Sequence, residues 1–514
     1  MPTINDFLER GYFPKELPPF FTTAAFAASV PLAGVAPTAQ DVFSASVRYS
    51  HSKYASTRRD LRIPHPAPHY ELVSLLVNSW PDLQRVWGGS TLGKSSPVDS
   101  PVRAVTGQME FSDLPALRAE VRAAGRYLFR ADISAFYPSV YTHSIPWAIH
   151  GKAAAKANWV TRPSRRHPAV LWGNLADLWS RNSQGKQTVG LPIGPDTSFV
   201  LAETVLCAVD AELQNQLGPH SGFRFVDDYE FVCEDQPEAE RAFALLQEVL
   251  SRFELRLNPR KTSIVELPEA LDAPWVEELS DFDFDAARDM SRRLVRYFTR
   301  AFSLVRQYPG EPVLKYAIRR LVSLEVEGDE ALLLQRLALQ AAMADPGTLR
   351  GVLLIISTHE AADLETDHDA LNAALNSLVQ RHAPLGHGSE VAWSIWAAAV
   401  FDSPLSEASA NAVAQMRDEI VALSAMFCEE HGAFDRPPNR QNWQEMVDAD
   451  ALAQEHWLLT YEAVGKAWLN PPPRGDLVDA GPFLQALRAA TVAFIDPATP
   501  LEISDDLPEG PYRA

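Results

Sequence analysis

Cysteine is scarce: three residues, Cys207, Cys233 and Cys428, in a chain of 514. They stand far apart, without the short spacings that hold zinc, so neither a disulfide framework nor a cysteine-ligated metal is expected. Apolar runs long enough to span a bilayer are missing as well, and no membrane partner is expected. The segment Met1-Pro2-Thr3-Ile4-Asn5-Asp6 has no basic stretch followed by an apolar one. No secretory signal is therefore expected, and the three cysteines read as reduced core residues of a cytoplasmic protein. The 13 histidines show no ligand spacing and read as structural or surface groups.

A basic surplus is also lacking. The net charge of −20 argues at first against a phosphate-bearing partner. The two halves differ, however. Residues 1–270 carry 27 Lys+Arg against 28 Asp+Glu, a net of −1, whereas residues 271–514 carry 19 against 38, a net of −19. A nucleic-acid path therefore belongs to the first half, where basic clusters run from Arg48 to Arg62 and from Arg162 to Arg166. What remains is ordinary for a globular chain, 46% hydrophobic and 22% charged, and the length suits two or three domains.

Residues 1–45 mix aromatics with Pro14, Pro18 and Pro19, which exclude one long helix and leave a short helix with an extended arm. In residues 46–64, Arg48, His51, Lys53, Arg58, Arg59 and Arg62 alternate with hydroxyl residues and with Tyr49 and Tyr54. The pattern suits a β-hairpin that touches phosphates; a solvated basic loop is the alternative. An amphipathic helix follows over 67–87. Residues 127–137 are an apolar run ending in Asp132, then Phe136 and Tyr137, which predicts a buried strand delivering one carboxylate at its end. Helical periodicity covers 145–160 and 168–182, with Trp147, Trp159, Trp172 and Trp179 as core candidates. Gly190-Leu-Pro-Ile-Gly194-Pro-Asp-Thr-Ser198 opens a helix that runs to about Leu213, and Gly194 would let backbone approach a ligand; a plain helix entry capped by Asp196, Thr197 or Ser198 is the alternative.

Phe223-Arg224-Phe225-Val226-Asp227-Asp228-Tyr229-Glu230-Phe231-Val232 has strand character on both sides of two adjacent aspartates. This predicts a hairpin that holds its carboxylates rigidly at the tip; a plain polar turn is the alternative. Beyond an amphipathic helix at 237–253, Leu257-Asn258-Pro259-Arg260-Lys261 reads as a turn presenting Lys261 between two strands. From about 280 to 505 the pattern is helical with little strand signal, with segments at 285–307, 313–327, 330–343, 347–359 and 368–382, and it suggests HEAT-like hairpins; the period is loose, and an irregular helical bundle is the alternative.

The parts fit one chemistry. Nucleotidyl transfer by two divalent ions about 3.5–4 Å apart needs carboxylates from separate strands and cations for the phosphates. Arg-Ala-Asp132-Ile-Ser-Ala-Phe-Tyr137, Gly190-Leu-Pro-Ile-Gly194, Phe225-Val-Asp227-Asp228, Leu257-Asn-Pro-Arg-Lys261 and Arg59-Asp-Leu-Arg-Ile-Pro64, in that set, resemble the motifs of the reverse-transcriptase palm and fingers over about residues 45–268. Phe-Leu-Glu-Arg-Gly-Tyr-Phe-Pro-Lys-Glu-Leu-Pro at the N-terminus, Tyr141-Thr-His-Ser-Ile-Pro-Trp147 and His456-Trp-Leu-Leu-Thr-Tyr461-Glu extend the likeness to bacterial abortive-infection reverse transcriptases of the AbiK type, within the defence-associated group.

The resemblance implies an α+β chain: an N-terminal arm over 1–45, reverse-transcriptase-like fingers and palm over 46–270, and an all-α HEAT-like domain over 280–505. It implies Mg²⁺ or Mn²⁺ held by Asp132, Asp227 and Asp228 with the carbonyl of Ile133. Lys53 and Arg59 would grip a dNTP triphosphate, and Lys261 would serve the leaving pyrophosphate. Phe136, Tyr137 and Gly194 would border the nucleotide, with Tyr137 excluding a 2′-hydroxyl. It further implies antiphage function, a single-stranded DNA product made by untemplated and protein-primed synthesis, and a homo-oligomer, a trimer or a hexamer. Some relatives act with a noncoding RNA or a partner polymerase. Tyr49 and Tyr54 are the candidate primers. Two departures matter: Ile193 stands where most members have Gln, and no conventional thumb follows residue 270. A templated retroelement polymerase and a non-catalytic nucleic-acid scaffold are the rival expectations.

Overall fold

Phe129, Tyr229, Phe231 and Cys233 are buried on neighbouring strands, and they set the centre of the first half. The computed structural model describes residues 1–30, 42–54, 57–158, 170–218, 221–284, 289–448, 450–472 and 481–503. The cluster Arg162 to Arg166, Trp159 and the side chain of Tyr54 lie outside them. Eight strands occur among the described residues: β1 (Val47–Tyr54), β2 (Thr57–Ile63), β3 (Pro97–Asp99), β4 (Val105–Gly107), β5 (Tyr127–Asp132), β6 (Ser221–Phe225), β7 (Asp228–Cys233) and β8 (Ser263–Glu266). β1 pairs with β2 and β3 with β4; the other four form an antiparallel sheet in the order β6-β7-β5-β8.

The helix Gln236–Arg252 packs on this sheet, with Phe129 meeting Phe243 edge-on at 5.7 Å and Phe231 face-on at 6.1 Å. Its start is fixed by Asp235, whose carboxylate accepts from the Glu238 N–H at 2.8 Å, and by Pro237 in the first turn. The helix expected over 67–87 is two, Pro66–Asn78 and Trp80–Trp87. Pro81 brings no N–H to continue the first ladder, so a new helix starts around it. The expected strand before Lys261 is reduced to a single bridge, Ile133 to Leu257.

From Pro274 onward the described residues form helices, among them Met290–Gln307, Val313–Arg319, Asp329–Ala344, Leu349–Ala361, His368–His382, Gly388–Val400 and Glu419–Glu429. Asp329–Ala344 and His368–His382 each pack on the helix that follows, and on the next but one. The N-terminal segment holds two short helices, Ile4–Glu9 and Ala24–Ser29, rather than one. It joins the halves: Phe20 stacks on Phe427 at 4.4 Å, Phe13 on Phe494 at 5.6 Å, and the Thr22 N–H donates to the Phe494 carbonyl at 2.9 Å. No helix among the described residues is long and apolar enough to cross a membrane.

Candidate active site

β6 and β7 are joined by a two-residue turn, Val226-Asp227, closed by the pair Phe225 and Asp228. Asp227 is therefore the tip, and Asp228 is the first residue of β7. On its other side β7 pairs with β5 in a register that sets Asp228 directly opposite Asp132. The Ile133 N–H donates to the Asp227 carbonyl at 3.2 Å, so the tip is also tied to the end of β5. Val226 has φ of +51°, a left-handed conformation that crowds a β-branched side chain.

Asp132 is buried, with two partners from the turn after the Gln236–Arg252 helix. Its Oδ1 accepts from Asn258 Nδ2 at 2.9 Å and its Oδ2 from Lys261 Nζ at 2.7 Å. The Asn258 N–H donates to the Asp132 carbonyl at 2.7 Å, which fixes the turn against the strand end. Asn258 carries no charge, so Lys261 is the cation bonded to this cluster, and it is itself largely exposed.

The remaining charge shows in the acidities. Removal from water and then repulsion by Asp132 raise Asp227 above the ordinary carboxylate range. Removal from water, then repulsion by Asp227 and Asp132, pushes Asp228 up to about 7. Solvent still reaches Asp228, and water weakens both causes, so the upward direction is what stands. Removal from water lowers Lys261, but its bond to Asp132 and the charges of Asp132, Asp228 and Asp227 together outweigh this, and the net shift is upward.

The three carboxylates and Lys261 open into a cleft of about 590 Å³. Lys53 and Arg59 of the β1–β2 hairpin line it from one side. The helical half supplies Glu311, Lys315, Arg319 and Arg350 on another. The hairpin is fastened to that half: Lys315 Nζ donates to the Ser52 carbonyl at 3.1 Å, the Ser52 N–H to Ser389 Oγ at 3.1 Å, and Arg58 forms a bidentate pair with Glu390, Nη2 to Oε2 at 3.0 Å. Helices thus close the cleft where sequence showed no thumb.

Several expected site residues lie elsewhere. Gly194, at φ +132°, faces the N-terminal arm: a Cβ there would meet Pro14 Cγ at 2.7 Å, and its carbonyl accepts from Arg103 Nη2 at 3.0 Å. The close approach it allows is to Pro14. Phe136 is buried in the core, and Tyr137 packs against it without lining the cleft. Burial, then the charges of Glu203 and Asp227, raise the Tyr137 phenol well above its usual range. Tyr49 is fully buried, donates its hydroxyl to the Glu16 carbonyl at 3.3 Å, and does not line the cleft. A nucleophile must reach the reacting phosphorus, and burial keeps Tyr49 from it in this arrangement.

Sequence reading missed Ser95, Glu203, Asp210 and Asn258. Glu203, Asp210 and Asn258 lay within segments already singled out, but as helix or turn residues, and Ser95 follows Gly88, Gly89 and Gly93 in a stretch given no role. It also missed a histidine group: His382, His387 and Glu390 bring ligand atoms within 4.8 Å of one another. Arg58 already neutralises Glu390 there.

No known family and no curated protein matches the sequence. Among solved structures, a telomerase from Candida albicans in complex with a fragment of telomeric RNA is similar at 10% identity and a TM-score of 0.27. The similarity covers 68% of this chain and 66% of that one, a little under two thirds. The protein is a mixed α/β chain, mostly helical with small sheets.

Proposed function

We propose that this chain is a reverse-transcriptase-like nucleotidyltransferase that polymerises deoxynucleotides. The observation that carries it is the pairing of Asp132 with Asp228 across adjacent strands, with Asp227 at the tip between them and a cationic cleft in front. The donor set fits Mg²⁺ or Mn²⁺: three carboxylates offer hard oxygens, and Lys261 Nζ already sits on Asp132 Oδ2 as a cation would. Asp132, Asp227 and Asp228 would hold the ions, with the Ile133 carbonyl at the strand end. Bound there, the metal supplies charge neutralisation at the attacking and leaving oxygens.

The chain's own residues divide the remaining work. Asp132 and Asp228 are held in register by the sheet, so the reacting centre needs no rearrangement of backbone. Lys53 and Arg59 line the same cleft as the carboxylates and would orient the triphosphate. Lys261 exchanges Asp132 for the developing charge on pyrophosphate, carrying its proton at its Nζ. Ile193 brings no hydrogen-bonding side chain to the loop before the Asp196–Leu217 helix, and its carbonyl accepts from the Arg62 N–H at 2.8 Å. That supports synthesis without conventional templating, since nothing at this position can read a template base.

The motif resemblance supports the finer reading: antiphage defence, a protein primer, single-stranded DNA product and a homo-oligomer. Purified full-length protein with Mg²⁺ or Mn²⁺ and labelled dNTPs is expected to yield product, and Asp227→Ala to yield none. Product from Asp227→Ala/Asp228→Ala would end the catalytic reading. Nucleotide found on a tyrosine by mass spectrometry would identify the primer.

A further inference from the structure

The tip that carries Asp227 is strained at Val226, so something must hold it. Both backbone polar groups of Val226 are held by buried side chains. Its N–H donates to Ser95 Oγ at 2.9 Å, and its carbonyl accepts from Arg224 Nη1 at 2.8 Å. Ser95 is 1% exposed and its hydroxyl also donates to Glu203 Oε1 at 2.9 Å and accepts from Arg224 Nη1 at 3.5 Å. Arg224, wholly buried, is gripped by Glu203 at 3.0 Å and by Asp210 at 2.9 Å, and Asp210 is held in turn by the Tyr229 hydroxyl at 2.8 Å and Ser90 at 2.7 Å. Two carboxylates on the Asp196–Leu217 helix therefore anchor the turn from below.

Ser95 reaches the tip because residues 92–95 run beside β6 as a strap. The Arg224 N–H donates to the Leu92 carbonyl at 2.8 Å, and the Lys94 N–H to the Arg224 carbonyl at 2.9 Å. Gly93 is required at that crossing, since a Cβ would lie 2.8 Å from Arg224 Nη2. The strap's register with β6 is what delivers Ser95 to the Val226 N–H.

We propose that Ser95 is a positioning residue that holds the Val226–Asp227 turn in its left-handed form and so sets the geometry of Asp227 and Asp228. The inference rests on reading those aspartates as metal ligands. Ser95 touches neither substrate nor metal; it acts through the Val226 backbone. Outer partners of this kind are worth about 10–100-fold in metal affinity or activity.

The test uses the full chain. Ser95→Ala is expected to lower kcat and Mn²⁺ affinity, read by electron paramagnetic resonance of free Mn²⁺, by about 10–100-fold, with the KM for dNTP unchanged. Ser95→Thr keeps the hydroxyl and should restore both. Hydrogen exchange at the Val226 N–H should be as slow in the parent protein as in the β7 ladder, and about 5–10-fold faster in Ser95→Ala. A parent protein whose Val226 N–H exchanges freely overturns the proposal without any variant. So does a Ser95→Ala protein with parental kcat, Mn²⁺ affinity and exchange. A parent protein that makes no product sinks the polymerase reading instead, and exchange together with Mn²⁺ affinity still decides the role of Ser95.

Discussion

At the scale of single residues the cluster of Asp132, Asp227 and Asp228 is under repulsive load, which Lys261 relieves at one carboxylate. Asp228→Asn removes one of the like charges. The variant is expected to melt higher than the parent in EDTA, by about 0.5–1 kcal/mol of stability, and to gain less from added Mg²⁺. Paired thermal melts with and without the ion check both signs. Asp132→Asn keeps the packing while removing the charge of a proposed metal ligand, and product formation should fall on the order of 10³-fold, a loss of several kcal/mol at the transition state. Lys261→Ala should retain folding and lose about 10²-fold in rate, since its ammonium is exposed and meets only Asp132 closely. The carboxylates and the lysine were legible in sequence because strand, turn and charge are local patterns. Ser95 and Asn258 were not, because an isolated hydroxyl or amide gains its meaning only from what stands across from it.

At the scale of elements, the joint between the helix Glu419–Glu429 and the helix Trp457–Gly465 carries a buried acid. Burial pushes Glu419 up to about 7, and His456, bonded to it at 3.1 Å, is raised by that bond. Both folded values lie above the unfolded ones. The stability they contribute is therefore complete below the unfolded values and is lost as pH rises through about 7. Melting temperature should decline from about pH 5 to pH 8, by on the order of 2 kcal/mol of stability, and Glu419→Gln should flatten the decline. A second joint ties the β1–β2 hairpin to the helix Gly388–Val400. Arg58→Ala would leave Glu390 buried without its cation, at a cost of about 3 kcal/mol or more. Because Arg59 follows directly and lines the cleft, nucleotide KM should rise in the same variant. The hairpin itself was readable from alternating residues; its fastening to helices more than 260 positions away was not.

At the scale of the whole molecule, the N-terminal segment is the element shared by both halves. Phe20 is wholly buried between Trp396 at 5.3 Å and Phe427 at 4.4 Å, while Tyr12 and Phe26 pack on the first half and on Phe494 and Phe483. Phe20→Ala should cost about 3–5 kcal/mol, and calorimetry should show one cooperative transition moving down in temperature. Residues 1–270 alone should expose these aromatics and aggregate, because their partners lie beyond residue 390. The expected boundaries near residues 45 and 270 describe where the pattern of residues changes, and aromatic packing runs across them.

Sequence alone determined the elements whose signals are local: the strand ending at residue 132, the aspartate hairpin, the basic hairpin before it, and the helical character of the acidic half. Periodicity and turn chemistry act over a few residues, so one chain suffices to read them. Tertiary structure decided what faces what: that Gly194 receives Pro14, that Tyr49 is buried, and that the helices close the cleft. These are contacts between distant segments, and their energy depends on shape and on which charges lose water together. No local pattern encodes that.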